Sequence, residues 1–219
     1  MTAPASGPTP RRLLLGIDSA TEYLALSLVE AHGGPAAGET AADSPTSAGA
    51  TALLGGAEVA RRVTQLGREH AARIMGELEA LFSDAGAKRS DVVGVGVGVG
   101  PGSYTGVRIG VATAVALGRA WGVPVGGSSS LLALLGADLA PGAAGVALLD
   151  ARKGNVYALA GRRLTGAHAS FEAIGEPVKV PLTEVAARFP GLPRYEGPPE
   201  AAVLARRALL TGSLEPWYL

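Results

Sequence analysis

The chain has 219 residues, 47% of them hydrophobic and 17% charged, enough apolar material to bury one core or two small ones. Nineteen basic residues balance nineteen acidic ones, so no long-range field gathers a polyanion, and tight RNA binding by the isolated chain is disfavoured on charge. Cysteine is absent, which removes disulfides, thiolate metal ligands and cysteine nucleophiles and is compatible with a reducing cytosol.

Met1 to Arg12 is rich in proline and small residues, and residues 1–11 read as a disordered N-terminus. Leu13 to Ile17 is an apolar run broken at Asp18, too short for a signal-peptide core. No other stretch reaches the roughly 18 uninterrupted apolar residues a membrane span needs, so the expectation is a soluble, cytoplasmic protein with no membrane association. Tyr23 to Val29 is a second strand-like run after the polar link Ser19 to Glu22, and the two read as a hairpin. Residues 31–56 are dominated by Gly, Ala, Pro, Ser and Thr without periodicity, a flexible insertion before a third strand near Ala57 to Val63. From Arg68 a helix is predicted, with Ala71, Ile74, Met75, Leu78, Leu81 and Phe82 on one face, Arg73, Glu77 and Glu79 opposite, His70 on the polar side and Gly86 as the stop.

Val92 to Val99 is a predicted strand with Val93, Val95, Val97 and Val99 on one face and Gly94, Gly96 and Gly98 on the other. The bare glycine face demands a close neighbour. Gly100 to Gly110 turns the chain into a helix running to about Trp121, in which Gly106, Gly110, Ala114 and Gly118 form a stripe of small residues. That stripe faces either the glycine side of the strand or another chain, and the strand is the preferred neighbour. A short strand near Val123 to Val125 follows, then Ser128 to Ser130 as the cap of a leucine-rich helix, a strand over Gly145 to Asp150 and its hairpin return over Asn155 to Ala160. Gly161 to Leu219 is weakly patterned, with helices near Leu182 to Phe189 and Glu200 to Leu210. This order implies an α/β architecture of two related halves, an N-terminal lobe over 12–142 and a smaller C-terminal lobe over 143–219.

The turn Gly100 to Gly106 leaves a strand and opens a helix, the geometry that holds an anion on free amides. It is not a Walker A loop, because Val107 and Arg108 follow its last glycine, and it misses the strict dinucleotide spacing. Acid–base candidates are Asp18, Glu22 and Asp150, with Arg152 close behind; each could equally cap a turn. His32, His70 and His168 have no ligand spacing, and no Gly-x-Ser-x-Gly elbow is present, so no metal site and no hydrolytic triad is assigned.

Five ordered blocks resemble the TsaB (YeaZ) family: Ile17 to Glu22, Arg68 to Ile74, Gly100 to Gly110, Leu149 to Tyr157 and Glu215 to Leu219. The resemblance implies an actin-like ATPase-domain (ASKHA, RNase H-like) fold and a non-catalytic subunit of the machinery that makes threonylcarbamoyladenosine in tRNA. The implied partners are a TsaD-like paralogue, which carries the metal and the chemistry, and a TsaE-like ATPase, with tRNA met only through the complex. Where TsaD-like proteins place a His-x-x-x-His metal pair, this chain has Ser128 to Leu132. The resemblance directs the partner to the first two helices, with Arg68, His70, Ile74, Met75 and Leu78 as contacts, and the lone chain could self-pair there. Asp18, Thr21, Glu22, Gly100, Gly102, Ser103, Tyr104, Thr105, Gly106, Arg108, Asp150 and Arg152 form the nucleotide or partner edge. No tightly bound cofactor is expected; ATP or ADP belongs at the subunit junction if anywhere. The alternatives are an independent actin-fold enzyme, glycoprotease-like or ATPase, and a homodimeric regulatory scaffold.

Overall fold

The structure, a computed structural model, describes residues 11–32, 54–136, 138–166, 168, 170–207 and 213–216. Its first sheet has the order β3-β2-β1-β4-β5, built from β1 (Leu13–Asp18), β2 (Tyr23–His32), β3 (Leu54–Gln65), β4 (Val92–Gly98) and β5 (Val125–Ser128). The short polar link after Asp18 permits only an antiparallel hairpin with β2, whereas α1 (His70–Ala85) and α2 (Tyr104–Trp121) are long enough to return β4 and β5 parallel. A second sheet, β8-β7-β6-β9, contains β6 (Ala144–Asp150), β7 (Asn155–Arg163), β8 (Phe171–Pro181) and β9 (Arg194–Tyr195). Both sheets follow one plan: a three-stranded antiparallel meander with a parallel strand added beside its first strand. This is the mixed α/β, actin-like arrangement expected from the sequence.

Helices α1 and α2 cover one face of the first sheet, where Leu13, Leu15, Ile17, Leu26, Leu28, Val95 and Val97 meet Ile74, Leu78, Leu81 and Leu117. Gly86, at φ 55°, ends α1 as predicted. The predicted faces of α1 need correction. His70 and Glu77 are buried, while Ala71 and Met75 are exposed. Glu77 is tolerated inside because Arg62 (3.0 Å), Arg73 (3.2 Å) and Thr64 (3.1 Å) all donate to its carboxylate.

The opposite face is covered from the far end of the chain, by α4 (Ala201–Arg207), which runs across β1, β2, β3 and β4. A Cβ at Gly16 would run into the carbonyl of Ala201, and one at Gly96 into that of Leu204. The glycine face of β4 does have close neighbours, but they are α4 at Gly96 and the Asp18 and Ser130 side chains at Gly98, not α2. The small-residue stripe of α2 is internal, as preferred, yet it meets other atoms: Gly106 lies against the Ser19 carbonyl, Gly110 against the Ser19 hydroxyl and Val97, Gly118 against Val125. A bulge in β4 also breaks the expected alternation. Leu13 pairs with Val92 but Leu14 with Gly94, so Val93 turns to the α4 side and packs with Leu14, Val29, Ala202 and Ala205. Two arginines fasten α4 at its end. Arg206 donates to the Gly56 carbonyl of β3, and Arg207 to Ser128 Oγ (3.0 Å) and the Phe171 carbonyl (2.6 Å), tying β5 to β8.

Other boundaries moved. Strands β2 and β3 take residues at both ends of the expected 31–56 insertion, whose remainder lies outside the described residues. The strand expected near Val123 to Val125 runs instead over Val125–Ser128, because the amide of Val123 still closes the end of α2 on the Gly118 carbonyl. Ser129 caps only a short 3-10 turn, Ser130–Leu134, entirely buried between the sheets. Strands β8 and β9 were not predicted. The helix expected near Leu182 to Phe189 is a 3-10 turn followed by the single-turn α3 (Val185–Arg188). Residues 1–10 lie outside the described set; Arg11 donates to the Ala85 carbonyl at 2.9 Å. Of the terminal motif, Glu215 and Pro216 are described, and Leu214 beside them packs on the first core.

Gly96→Ala places a methyl where the α4 backbone already sits and is expected to cost about 1–3 kcal/mol, read by urea denaturation. An unchanged midpoint would show that α4 does not seat on this strand.

Candidate functional site

Asp18 ends β1 fully buried, and the loop behind it crosses the start of α2. Its backbone packs on that helix terminus. Ser103 N donates to the Ala20 carbonyl at 2.7 Å, and Ser19 Oγ donates to the Gly106 carbonyl at 2.8 Å. Gly106 N donates to Ser103 Oγ at 3.3 Å. Gly102 and Gly106 are glycines because a Cβ on either would strike the carbonyls of Ala20 and Ser19. The glycine-rich turn is therefore a seat for the protein's own chain, with at least the Ser103 and Gly106 amides consumed. Gly100 is tied to the 3-10 turn: its amide donates to Ser130 Oγ (3.2 Å), and its carbonyl accepts from Ser130 N (2.9 Å) and Ser129 Oγ (3.3 Å). Tyr104, Thr105 and Arg108 lie on the exposed flank of α2, with the Arg108 guanidinium 3.8 Å over the Tyr104 ring.

The Asp18 carboxyl has an uneven environment. Oδ1 accepts from Ala20 N at 2.9 Å, while Oδ2, wedged beside Gly98 and the Ser130 hydroxyl, makes no well-formed hydrogen bond. Burial pushes the group up to about 6, against the downward pull of the Ser130 hydroxyl, the Ala20 amide and the electrostatic attraction of His70. His70 is itself buried, and its Nε2 is without a hydrogen bond.

Beyond this loop the two sheets face each other across a cleft of about 700 Å³. One wall carries Ala20, Thr21, Glu22, Tyr23, Arg68, Gly102 and Ser103; the other carries Leu148 to Arg152, Tyr157 and Glu196. The structure thus unites Thr21, Glu22, Gly102, Ser103, Asp150 and Arg152 from the predicted edge. It separates the residues predicted as partner contacts: His70, Ile74 and Leu78 are buried inside the chain, Arg68 lines the cleft, and Met75 is exposed on the outer flank of α1. The reason is the helical phase, since the residues that share the apolar stripe pack on the chain's own sheet. Sequence reading passed over Ser130 except as a cap, missed Glu196 altogether and did not pair His70 with Asp18. No local motif marks these residues, which come from segments distant in the chain. Among the described residues no cluster of three or more His, Cys, Asp or Glu could hold a metal.

Two mixed sheets, each a meander plus a parallel strand and parted by a cleft, define an actin-like (ASKHA) fold in which the glycine-rich turn before α2 is packed against the chain's own β1–β2 loop. A family model described as TsaD, tRNA N6-adenosine threonylcarbamoyltransferase, matches residues 63–207. With that match and its similarity to proteins named TsaB, the chain belongs to the TsaB (YeaZ) family of TsaD-related proteins. It is similar to the tRNA threonylcarbamoyladenosine biosynthesis protein TsaB of Escherichia coli, 36% identical over 119 residues, 53% of this chain and 52% of that one. It is also similar to an uncharacterized protein of Mycobacterium tuberculosis, 38% identical over 96 residues, 44% of each chain. These matches span about half the length of the curated relatives. The solved structure of YeaZ from Pseudomonas aeruginosa superposes with a TM-score of 0.68 at 21% identity, covering 95% of this chain and all of that one, a likeness of fold.

The Asp18 environment sets a pH dependence. Because the folded value lies above the ordinary 3.8, the unfolded chain loses its proton first as pH rises, and stability falls between 3.8 and about 6 and stays lowered above it. Over two units this amounts to at most about 3 kcal/mol. Asp18→Asn, which keeps the acceptor for Ala20 N, is expected to gain stability over the parent at pH 7.5 and far less at pH 4, by denaturant titration. A difference independent of pH would contradict the assignment.

Proposed function

We propose that this chain is a non-catalytic subunit of the machinery that makes threonylcarbamoyladenosine in tRNA, pairing with a TsaD-like catalytic paralogue. The observation that carries this reading, beside the family, is the turn at α2: a relative of a transferase family has its candidate anion seat filled by its own Ser19–Ala20 backbone. The metal and the transfer chemistry then belong to the partner, a TsaE-like ATPase joins the pair, and ATP or ADP lodges at a subunit junction. A balanced net charge accords with tRNA being met through the assembly. The setting is the cytoplasm; among the described residues no helix is long and apolar enough to cross a membrane.

The outer flank of α1 and α2 is the pairing surface in this reading, for a TsaD-like chain or, when alone, a second copy. Met75 is 52% exposed and Tyr104 54%, and next to Met75 sits Gly76, where a Cβ would meet nothing within 4 Å. An exposed glycine inside a helix costs roughly 0.5–1 kcal/mol relative to alanine, with no internal contact to explain it. A partner backbone approaching closely supplies the reason.

Two measurements test this. Pull-down from the native cells is expected to bring a TsaD-like protein with the chain, and Met75→Asp is expected to abolish that capture while the melting temperature stays within a few degrees, because the side chain touches solvent. Threonylcarbamoyl transfer is expected only with the TsaD-like and TsaE-like proteins present. Sustained transfer by the lone chain, or undiminished capture by Met75→Asp, defeats the reading.

A further inference from the structure

Asp18 ends the central strand of the first sheet, and beside its side chain lies Ser130, the first residue of the 3-10 turn. That turn belongs to the second core, where Leu131, Leu132 and Leu134 pack with Ala147, Leu159 and Phe171. Asp18 Oδ2 and the Ser130 hydroxyl both lie against Gly98, where a Cβ would strike them. The Ser130 oxygen already accepts from the Gly100 amide at 3.2 Å, which leaves its proton for Asp18, yet Oδ2 makes no well-formed hydrogen bond.

A neutral carboxyl fits such a place and a carboxylate does not. An ionised carboxyl accepts on every lone pair and needs several donors, whereas this one has the Ala20 amide on Oδ1 and a poor contact on Oδ2. The surrounding elements add little charge. Strand β4 presents the backbone of Gly98, and α4 meets Gly16 and Gly96 through Ala201, Leu204 and Ala205, its Arg207 being turned to Ser128 and the Phe171 carbonyl. At the start of α2 the Arg108 guanidinium is stacked over Tyr104 on the exposed flank. Helix α1 brings His70, whose attraction is the weakest of the three pulls that oppose burial.

We propose that Asp18 is a proton-operated latch: with its proton it holds β1 against the 3-10 turn, and without it this seam opens locally to admit water while both sheets stay folded. Local opening of a seam at far lower cost than global unfolding is a general property of folded chains. In the open seam the carboxyl has its ordinary value of 3.8, and in the closed seam burial holds it at about 6. Opening therefore grows as pH rises from 3.8 to about 6 and levels off above it. The gap of two units sets the change at about a hundredfold at most. Ala20 passes the change on, since its amide bonds Oδ1 and its carbonyl takes the Ser103 amide at the start of α2. The latch needs neither a partner chain nor the family assignment.

Amide hydrogen exchange of the full chain, followed by NMR between pH 4 and 7.5 and corrected for intrinsic rates, tests this. At pH 7.5 the amides of Ala20, Gly100 and Ser130 are expected to exchange faster than those of the β6–β7 ladder. Their rates should ignore about 1 M urea, because local opening exposes little surface. At pH 4 their protection should be up to about a hundredfold higher, and in Asp18→Asn it should not change with pH. Ser130→Ala, which removes the one donor near Oδ2, should widen the pH dependence at the Ala20 amide. Carbon-13 titration of the Asp18 carboxyl in the parent decides the matter without any variant. The proposal is overturned if the seam amides match the ladder amides in rate and urea dependence, if Asp18→Asn keeps the pH dependence, or if the folded carboxyl titrates near 3.8.

Discussion

Backbone touching backbone is the constraint on which this structure depends. At Gly16 and Gly96 the carbonyls of α4 come down on the middle of the first sheet, and at Gly102 and Gly106 the carbonyls of Ser19 and Ala20 come down on the start of α2. Any side chain at these four positions would hold the layers apart. The central strand β1 is consequently buried along its whole length, enclosed by α1 and α2 on one side and α4 on the other. It also explains why a helix of seven residues can matter so much: α4 contacts strands of the first sheet while Val203 enters the core of the second.

The same closeness decides the chemistry available near Asp18. A helix start whose amides pointed into an open turn would attract a phosphate. Here the Ala20 carbonyl takes the Ser103 amide, the Ser103 hydroxyl takes that of Gly106, and Ser19 donates to the Gly106 carbonyl, so loop and turn form one joint. The carboxyl of Asp18 is trapped beneath that joint with one oxygen poorly satisfied, an arrangement that burial makes costly once the group ionises. The cleft above it keeps its charged residues although the joint below is closed.

How much of this was legible in the sequence follows from the range of each signal. Helices α1 and α2 announced themselves by periodicity, with Gly86 marking the end of α1, and β1, β2, β6 and β7 by short apolar runs beside tight links. The glycines of β4 correctly demanded a close neighbour. Their partner could not be read, because α4 lies more than a hundred residues away and carries no motif. Strand β8 was invisible for a different reason: it is an edge strand whose residues 172–176 are all exposed, interrupted at Gly175 and Pro177, so neither alternation nor apolar content marks it. The cleft was half legible. Asp150, Arg152 and Glu22 were singled out from strand ends and Thr21 with the family motif, whereas Arg68, taken as a partner contact, lines the cleft as well.

Three places in the chain break local rules without an internal gain, and their positions are informative. An ionisable carboxyl is buried at Asp18, two non-glycine residues stand in the left-handed region at Arg152 and Lys153, and a glycine is exposed within α1 at Gly76. Each costs about 0.5 kcal/mol or more, and together they are a sizeable part of the roughly 5–15 kcal/mol that separates folded from unfolded domains. Random tolerance of strain would scatter such positions through loops and edges. Instead the first lies directly before the loop that floors the cleft, the second forms the cleft's far wall, and the third lies on the helix flank where Met75 is uncovered. Departures from local consistency concentrate where a structure does something besides fold. By that criterion two surfaces stand out, the uncovered flank of α1 and the cleft between the sheets, and the turn on which the β1–β2 loop packs lies between them.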